Sequence, residues 1–233
     1  TIPGTGLHLK KSVIRGQESN GMLCSEREMG LSDEHAGIIE LPDDAPLGRP
    51  FASVLGLDDP LLELSVTPNR GDCLGVNGIA RDLAAKGLGP LKTPAIERVQ
   101  GRFKSPLDVR LEFPPGKEDA CPLFVGRYVR NVKNGPSPAW MQDRLRSVGL
   151  RPISALVDMT NFLTIDLNRP VHVFDADRIQ GDHLWLRLGC GGMGFRALNG
   201  KDYTLDDEMT AIGDGAGVAS LAGVMGGERT GCS

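Results

Sequence analysis

The sequence predicts an α+β protein built from several small domains, with strands more numerous than helices. Segments with apolar residues at every second position, which are typical of strands, alternate with segments whose apolar residues lie three and four positions apart, which are typical of helices. Glycine is unusually abundant, with 31 of 233 residues, and proline adds 16. These residues follow no collagen period, so we interpret them as turns, helix ends and close backbone approaches in an ordered, loop-rich protein.

Residues 1–57 predict β structure connected by turns. Strands are expected over 8–14 and 38–41, and the sequence at 19–21, Ser-Asn-Gly, is a turn signal. These strands are too few for a complete barrel, so we interpret the unit as the last part of a β-domain. The chain begins at Thr1 rather than at Met, and we expect it to be an excerpt of a longer polypeptide.

A strand, a turn and a helix are expected within residues 61–87. Apolar and polar residues alternate from 62 to 66, and apolar positions recur at helical spacing from 76 to 83. Asp72 is the expected N-cap residue of this helix, and Gly87 is the expected residue just beyond its end.

The largest unit begins at about residue 106 and mixes both kinds of element. The expected strands cover 107–113, 124–130 and 184–188, and the expected helices follow Ser137-Pro138 and cover 154–165. Asn199-Gly200 is a strong hairpin signal.

The composition argues against several classes of protein. The net charge of −4 gives no general signal for nucleic-acid binding. No window approaches the ~18 apolar residues of a membrane-spanning helix, and the first residues do not form a secretory leader. The five cysteines include no Cys-x-x-Cys pair, which argues against a disulfide framework or a zinc site and favours a cytoplasmic location.

Local patterns single out three polar residues as candidates for chemistry. Asp158 and Asn161 share a face of a predicted helix, and Asn161 either ties a loop to that helix or faces a ligand. His172 lies between two valines, shortly before Asp175, which could fix the tautomer of the imidazole. His172 is either a satisfied core histidine or a group that positions a water or an ester.

Three further stretches stand out, and the first two leave two interpretations open. The glycine-rich run 221–227 lacks the phosphate-loop signature, and its glycines serve either a ligand approached by backbone N–H groups or tight packing between strands. Six basic residues and one acidic residue lie between 126 and 152, on a surface that either meets phosphates or is merely solvated. From 202 to 228 there are six acids and no Lys or Arg.

Several long motifs together resemble one family. They are Leu64–Leu74 with Gly78–Ala84, Gly149–Asn161, Pro170–Asp175 and Leu221–Gly227, with a further match at Arg15–Ser25. In this order they resemble the bacterial phenylalanine–tRNA ligase beta subunit, and the resemblance extends over essentially the whole chain.

The resemblance implies a domain for each unit. Residues 1–57 would be the C-terminal part of an OB-type tRNA-binding domain. Residues 58–95 would be the returning half of a small α+β domain, followed by a linker at 96–105. Residues 106–233 would be a tRNA editing domain, truncated at its C-terminal end, which hydrolyses mischarged tyrosyl-tRNA.

The same resemblance implies an editing pocket. The positions of this chain that match it are Arg151, Thr160, Asn161, His172, Ala222 and Gly223. His172 and Asn161 would orient the terminal adenosine and a water near the ester, and Gly223 would leave room for the aminoacyl group. The acidic residue that recognises the tyrosine hydroxyl in the family would lie downstream of this chain.

For the parent enzyme, the resemblance implies tRNA-Phe and an alpha subunit as partners, in a tetramer of two alpha and two beta subunits. ATP and Mg²⁺ would serve aminoacylation by the alpha subunit, and this segment would need no cofactor or metal of its own. Two other functions stay open: a free-standing aminoacyl-tRNA deacylase and a non-catalytic tRNA-binding module.

Overall fold

A five-stranded sheet and three helices organise most of the chain in the computed structural model, which describes residues 1–188 and 190–232. The chain divides into two units, Thr1–Asp58 and Asp59–Ser233. The mixed α+β character predicted from the sequence is confirmed. Among the described residues, no helix combines the length and the apolar character needed to cross a membrane.

The first unit contains one hairpin and two short helices. Its elements are β1 (Ser12–Ile14), β2 (Gln17–Ser19), α1 (Glu26–Met29) and α2 (Phe51–Val54). The hairpin turn lies at Arg15 and Gly16, both with positive φ, and the expected turn at 19–21 is therefore misplaced. The expected strand at 38–41 is also wrong, because only an isolated hydrogen bond, from Ile39 N–H to the Cys24 carbonyl, connects it to the rest.

Three helices of the second unit pack together, and one of them contacts the other two. They are α3 (Val76–Ala85), α4 (Ala139–Ser147) and α5 (Ala155–Leu167), and α5 contacts both of the others. Gly87 lies beyond α3 with φ of 83°, as predicted. The N-cap residue of α3 is Gly75, so the prediction of Asp72 is wrong.

Two expected strands of the second unit do not form. Residues 62–66 have no partner strand, and Leu62 is 77% exposed. Residues 124–130 also form no ladder, although Phe124 packs against the core. At 62–66 the alternation of apolar and polar residues does not lead to a strand, because alternation carries no information about whether a neighbouring strand is present.

The remaining strands form a sheet and a separate hairpin. They are β3 (Asp108–Leu111), β4 (His183–Arg187), β5 (Gly194–Arg196), β6 (Asp202–Thr204), β7 (Ala211–Asp214), β8 (Gly217–Leu221) and β9 (Met225–Gly226). The order in the sheet is β3-β4-β7-β8-β9, with β3 parallel to β4 and the other pairs antiparallel. The hairpin β5–β6 turns at Asn199-Gly200, as predicted.

The core lies on both faces of this sheet. On β4, Trp185 belongs to one apolar cluster, whereas Leu184 and Leu186 belong to another that also contains Ile212. Successive side chains of a strand point to opposite faces, so β4 contributes to both clusters. Its central position leaves these three side chains nearly inaccessible.

Candidate functional site

His172 lies in an extended segment that runs beside the end of the chain. Phe174 forms an antiparallel bridge with Gly231, and the Asp175 N–H donates to the Thr230 carbonyl at 2.9 Å. The His172 ring packs edge-to-face on the Phe174 ring, with centroids 4.6 Å apart. Because Phe174 itself packs into the core, its ring gives the imidazole a fixed surface to rest on.

The second surface beneath His172 is Gly226. A Cβ atom at that position would come within 2.9 Å of the imidazole Nε2 and closer still to Cε1. Gly226 is buried in β9, and its carbonyl accepts a hydrogen bond from Leu198 N–H at 2.9 Å. Only a residue without a side chain leaves the ring in this position, and here glycine serves close packing.

The electrostatic state of His172 follows from these two contacts, which cover part of a residue that is otherwise exposed. Burial lowers the pKa of His172 below its ordinary value, so the imidazole is neutral at neutral pH. Asp175 does not fix its tautomer, because that carboxylate accepts from Asp177 N–H at 3.1 Å and pairs with Arg178 at 3.3 Å. No hydrogen bond among the described residues reaches the ring nitrogens, which leaves them available to a water or substrate.

Ala222 and Gly223 form the tip of the hairpin that carries Gly226. The Ala222 N–H donates to the Thr210 carbonyl at 2.9 Å. Gly223 has φ of 71°, and no atom lies within 4 Å of the place where a Cβ would stand. Three of the six predicted site residues are thus associated with one hairpin, His172 by contact and the other two as part of it.

The other three predicted residues lie on α5 and the loop before it. Arg151 is exposed, and Asn161 is half-buried on the helix. The Thr160 hydroxyl donates to the Val157 carbonyl of its own helix at 2.7 Å. Within the described part of the chain, no hydrogen bond or ring contact connects these residues with His172 or with the β8–β9 hairpin.

Asp158, which shares a face with Asn161 in sequence, has a structural role. It is 1% exposed, and its carboxylate accepts from the Ser137 hydroxyl at 2.5 Å and from the Ile153 N–H at 2.8 Å. These bonds connect the start of α4 to the start of α5 and hold the loop that carries Arg151. Ser137 therefore does not act as the N-cap of α4.

A buried ion pair near the hairpin was not predicted from the sequence. Asp214 is 2% exposed and receives two hydrogen bonds from Arg229, at 2.7 and 2.8 Å. Gln180 N–H and Ala216 N–H donate to the same carboxylate at 2.8 and 2.9 Å. Burial acts to raise the pKa of Asp214, but Arg229 and the two N–H groups outweigh it, and the pKa lies below its ordinary value.

The longest motif behind the family resemblance forms a charge network. Arg70 bonds to Asp72 at 2.9 Å and to Asp82 at 2.6 Å, and Arg81 bonds to Asp72 at 2.6 Å. The Arg70 guanidinium first, and Arg81 with it, hold the pKa of Asp72 well below its usual range. With Cys73, these carboxylates resemble a metal-ligand set, but Arg70 supplies the positive charge there, so the group does not suit a cation.

The basic stretch between 126 and 152 is partly neutralised within the chain. Arg144 pairs with Asp59 at 2.6 Å, and Arg146 pairs with Asp143 at 3.1 Å. The Arg130 guanidinium stacks over the Phe103 ring at 4.2 Å. These contacts favour the interpretation of a solvated, internally paired surface for much of this charge.

Comparison with known proteins tests the resemblance. Residues 120–233 match the family described as the B3/4 domain. The phenylalanine–tRNA ligase beta subunit of Cereibacter sphaeroides is 59% identical over 232 residues, which are 100% of this chain and 29% of the relative. The same subunit of Mesorhizobium japonicum is 55% identical over 231 residues, 99% of this chain and 28% of the relative.

A third relative has the same extent. The phenylalanine–tRNA ligase beta subunit of Paramagnetospirillum magneticum is 55% identical over 232 residues, 100% of this chain and 29% of the relative. The chain thus spans less than a third of the length of the curated relatives it matches. The predicted resemblance is confirmed: the chain is similar over its whole length to one segment of phenylalanine–tRNA ligase beta subunits.

Proposed function

We propose that this chain is the segment of a phenylalanine–tRNA ligase beta subunit that carries part of the site for hydrolysing mischarged tyrosyl-tRNA. The observation that carries the proposal is the 52–59% identity to such subunits over the whole chain. The parent enzyme would charge tRNA-Phe in the cytoplasm together with an alpha subunit, as a tetramer of two alpha and two beta subunits. ATP and Mg²⁺ would serve that aminoacylation outside this chain.

The proposed domains keep the boundaries expected from the sequence. Residues 1–57 would complete an OB-type tRNA-binding domain, and 58–95 would complete a small α+β domain. After a linker at 96–105, residues 106–233 would form the editing domain, and the B3/4 match at 120–233 falls within it.

Physical chemistry explains why such a site is needed. A hydrophobic pocket shaped for one amino acid rejects an analogue with an extra hydroxyl only weakly, by on the order of 10²-fold in analogous enzymes. A second, hydrolytic site removes the wrong product after attachment. Tyrosine differs from phenylalanine by one hydroxyl, so a phenylalanine enzyme meets this problem directly.

His172 would act on the ester as a neutral group. The ring nitrogen that carries no hydrogen can accept a hydrogen bond from a water that attacks the ester carbonyl, and the lowered pKa keeps this acceptor unprotonated. Attack breaks the bond between the carbonyl carbon and the ribose oxygen, releasing tyrosine and the free tRNA end. Asn161 would orient the terminal adenosine, and Gly223 would leave room for the aminoacyl group.

Replacing His172 by alanine in the complete beta subunit, assembled with its alpha subunit, tests this function. We expect deacylation of tyrosyl-tRNA to fall by on the order of 10²-fold or more, the range for loss of a general base. Charging of tRNA-Phe with phenylalanine should be unchanged. The matched control is His35→Ala, because His35 is an exposed histidine of the first unit.

Deacylation at the normal rate by the His172→Ala enzyme would overturn the proposal. Hydrolysis of tyrosyl-tRNA by the 233-residue chain alone would favour a free-standing deacylase. Binding of tRNA with no hydrolysis, both in the chain and in the complete enzyme, would favour a non-catalytic tRNA-binding module.

A further inference from the structure

We infer that Arg229, through its ion pair with Asp214, is a positioning residue for His172. This inference rests on the hydrolytic function proposed above. Arg229 does not touch the imidazole; it acts through the backbone segments that carry the ring.

The anchor of this arrangement is the carboxylate of Asp214, the last residue of β7 before the turn to β8. All of its surroundings are protein, since its side chain has no exposed surface, whereas Arg229 is 36% exposed. Two parallel N–H···O bonds from one guanidinium fix direction as well as distance, which a single contact would not do. Arg229 is therefore held in one orientation at the bottom of the turn Glu228–Thr230.

The turn that holds Arg229 continues directly into the contacts that hold the His172 segment. The next residue, Thr230, accepts from the Asp175 N–H at 2.9 Å, and Gly231 forms the bridge to Phe174. Phe174 is the residue on whose ring His172 packs. The turn that holds Arg229 is therefore connected through one backbone pairing, Gly231 with Phe174, to the ring on which the imidazole packs.

The same carboxylate also holds the far end of this segment. Gln180 N–H donates to Asp214 Oδ2 at 2.8 Å, and Gly215 N–H returns a bond to the Gln180 carbonyl at 2.8 Å. Residues 174–180 are thus fixed near both ends by one ion pair, at Asp175 through the Arg229 turn and at Gln180 directly. Replacing Arg229 would remove the anchor of the turn at the first attachment, whereas the Gln180 N–H would still have the Asp214 carboxylate as its acceptor.

The positional requirement on His172 is strict, because the ring occupies the space above Gly226. A displacement of about 1 Å in a catalytic group can cost on the order of 10²-fold in rate. We expect Arg229→Met to lower the kcat of tyrosyl-tRNA deacylation by on the order of 10- to 100-fold with little change in KM, because substrate contacts are retained. Charging with phenylalanine should be unaffected.

The test is a double-mutant cycle in the complete enzyme, with Arg229→Met, His172→Ala and the double variant. If Arg229 acts through His172, Arg229→Met lowers kcat in the normal background and has no further effect in the His172→Ala background. An equal loss in both backgrounds overturns the inference, because Arg229 would then act independently of the imidazole. The matched control is Arg146→Met, which removes an exposed arginine of α4 that pairs with Asp143 at 3.1 Å, away from the Glu228–Thr230 turn.

A second measurement separates failure of this inference from failure of the proposed function. Hydrogen–deuterium exchange at the imidazole Cε1, followed by mass spectrometry, reports the pKa and accessibility of His172 without any activity. Arg229→Met should raise the pKa of His172 toward its ordinary value of 6.5, because a displaced ring is better solvated. Unchanged exchange in this variant overturns the positioning role, even if His172 proves unnecessary for hydrolysis.

A variant that keeps a cation guards against loss of folding. Arg229→Lys retains the charge beside Asp214 but cannot make two parallel bonds. We expect a smaller fall in kcat than for Arg229→Met and a smaller rise in the pKa of His172. If Arg229→Lys is fully active with normal exchange at His172, the bidentate pair is not what positions the ring, and the inference is wrong.

Discussion

Replacing Asp214 by asparagine removes the charge from a buried group of nearly unchanged shape. The carboxylate accepts four hydrogen bonds, two of them from Arg229. An asparagine amide has only one acceptor oxygen. Its NH₂ group would point at N–H donors that the second carboxylate oxygen accepts in the normal protein. Arg229 would also lose its counter-charge. Removing one partner of a fully buried ion pair costs about 3–5 kcal/mol, and we expect about 2–3 kcal/mol here because Arg229 is 36% exposed to water and part of the hydrogen bonding is kept.

Urea unfolding followed by tryptophan fluorescence measures this cost at the right place. The Trp185 indole N–H donates to the Asp214 carbonyl at 2.8 Å, so its emission reports on the affected turn. Trp140, the other tryptophan, is 55% exposed and can be replaced by phenylalanine in every variant. The control is Asp202→Asn, which breaks an exposed pair and should cost less than about 1 kcal/mol.

The pH dependence supplies an independent check. Because the pKa of Asp214 is depressed in the folded protein, its contribution is fully present above the ordinary value of 3.8 and is lost as the pH falls through the depressed value. The difference in unfolding free energy between the normal protein and Asp214→Asn should therefore be largest near neutral pH and shrink below about pH 4. A difference under about 1 kcal/mol at pH 7, or one that does not shrink in acid, would refute the reasoning.

Two further substitutions test the surroundings of His172. Gly226→Ala places a methyl group against the imidazole of His172. We expect the free energy of unfolding to fall by about 1–3 kcal/mol, and tyrosyl-tRNA deacylation to fall clearly while phenylalanine charging stays normal. Normal deacylation would contradict the steric argument. Thr230→Val removes a fully buried hydroxyl that has no hydrogen-bond partner among the described residues. We expect the unfolding temperature to rise, corresponding to a gain of about 1 kcal/mol or more in the free energy of unfolding. A lower unfolding temperature would show that the hydroxyl is hydrogen-bonded.

Local patterns in the sequence predicted the elements that local physics controls. The Asn199-Gly200 turn, the residue Gly87 beyond α3 and the strand β4 are all as expected. The strands expected at 62–66 and 124–130 are wrong, because a strand needs a partner ladder, which neither the alternation at 62–66 nor the apolar residues at 124–130 reveal.

The sequence pattern also did not reveal which charged residues pair with each other. Asp214 was counted among six acids in a window without basic residues, and that window ends at Glu228, one residue before Arg229. Only the folded chain brings the two together, across fifteen residues of sequence and two strands. A buried carboxylate has no signature of its own in sequence, because burial depends on what other segments pack over it.

The sequence by itself predicted the resemblance to phenylalanine–tRNA ligase beta subunits, since long motifs in a fixed order can be recognised without knowing what their residues contact. It also supplied the six candidate residues of the editing pocket, whose joint role stays a prediction. The tertiary structure decided which of them lie on the same elements. His172 packs on Phe174 and Gly226, whereas Asn161 lies on α5, which packs against α3 and α4. The reason is physical, because a functional position depends on the backbone pairings around it, and these join segments far apart in the chain.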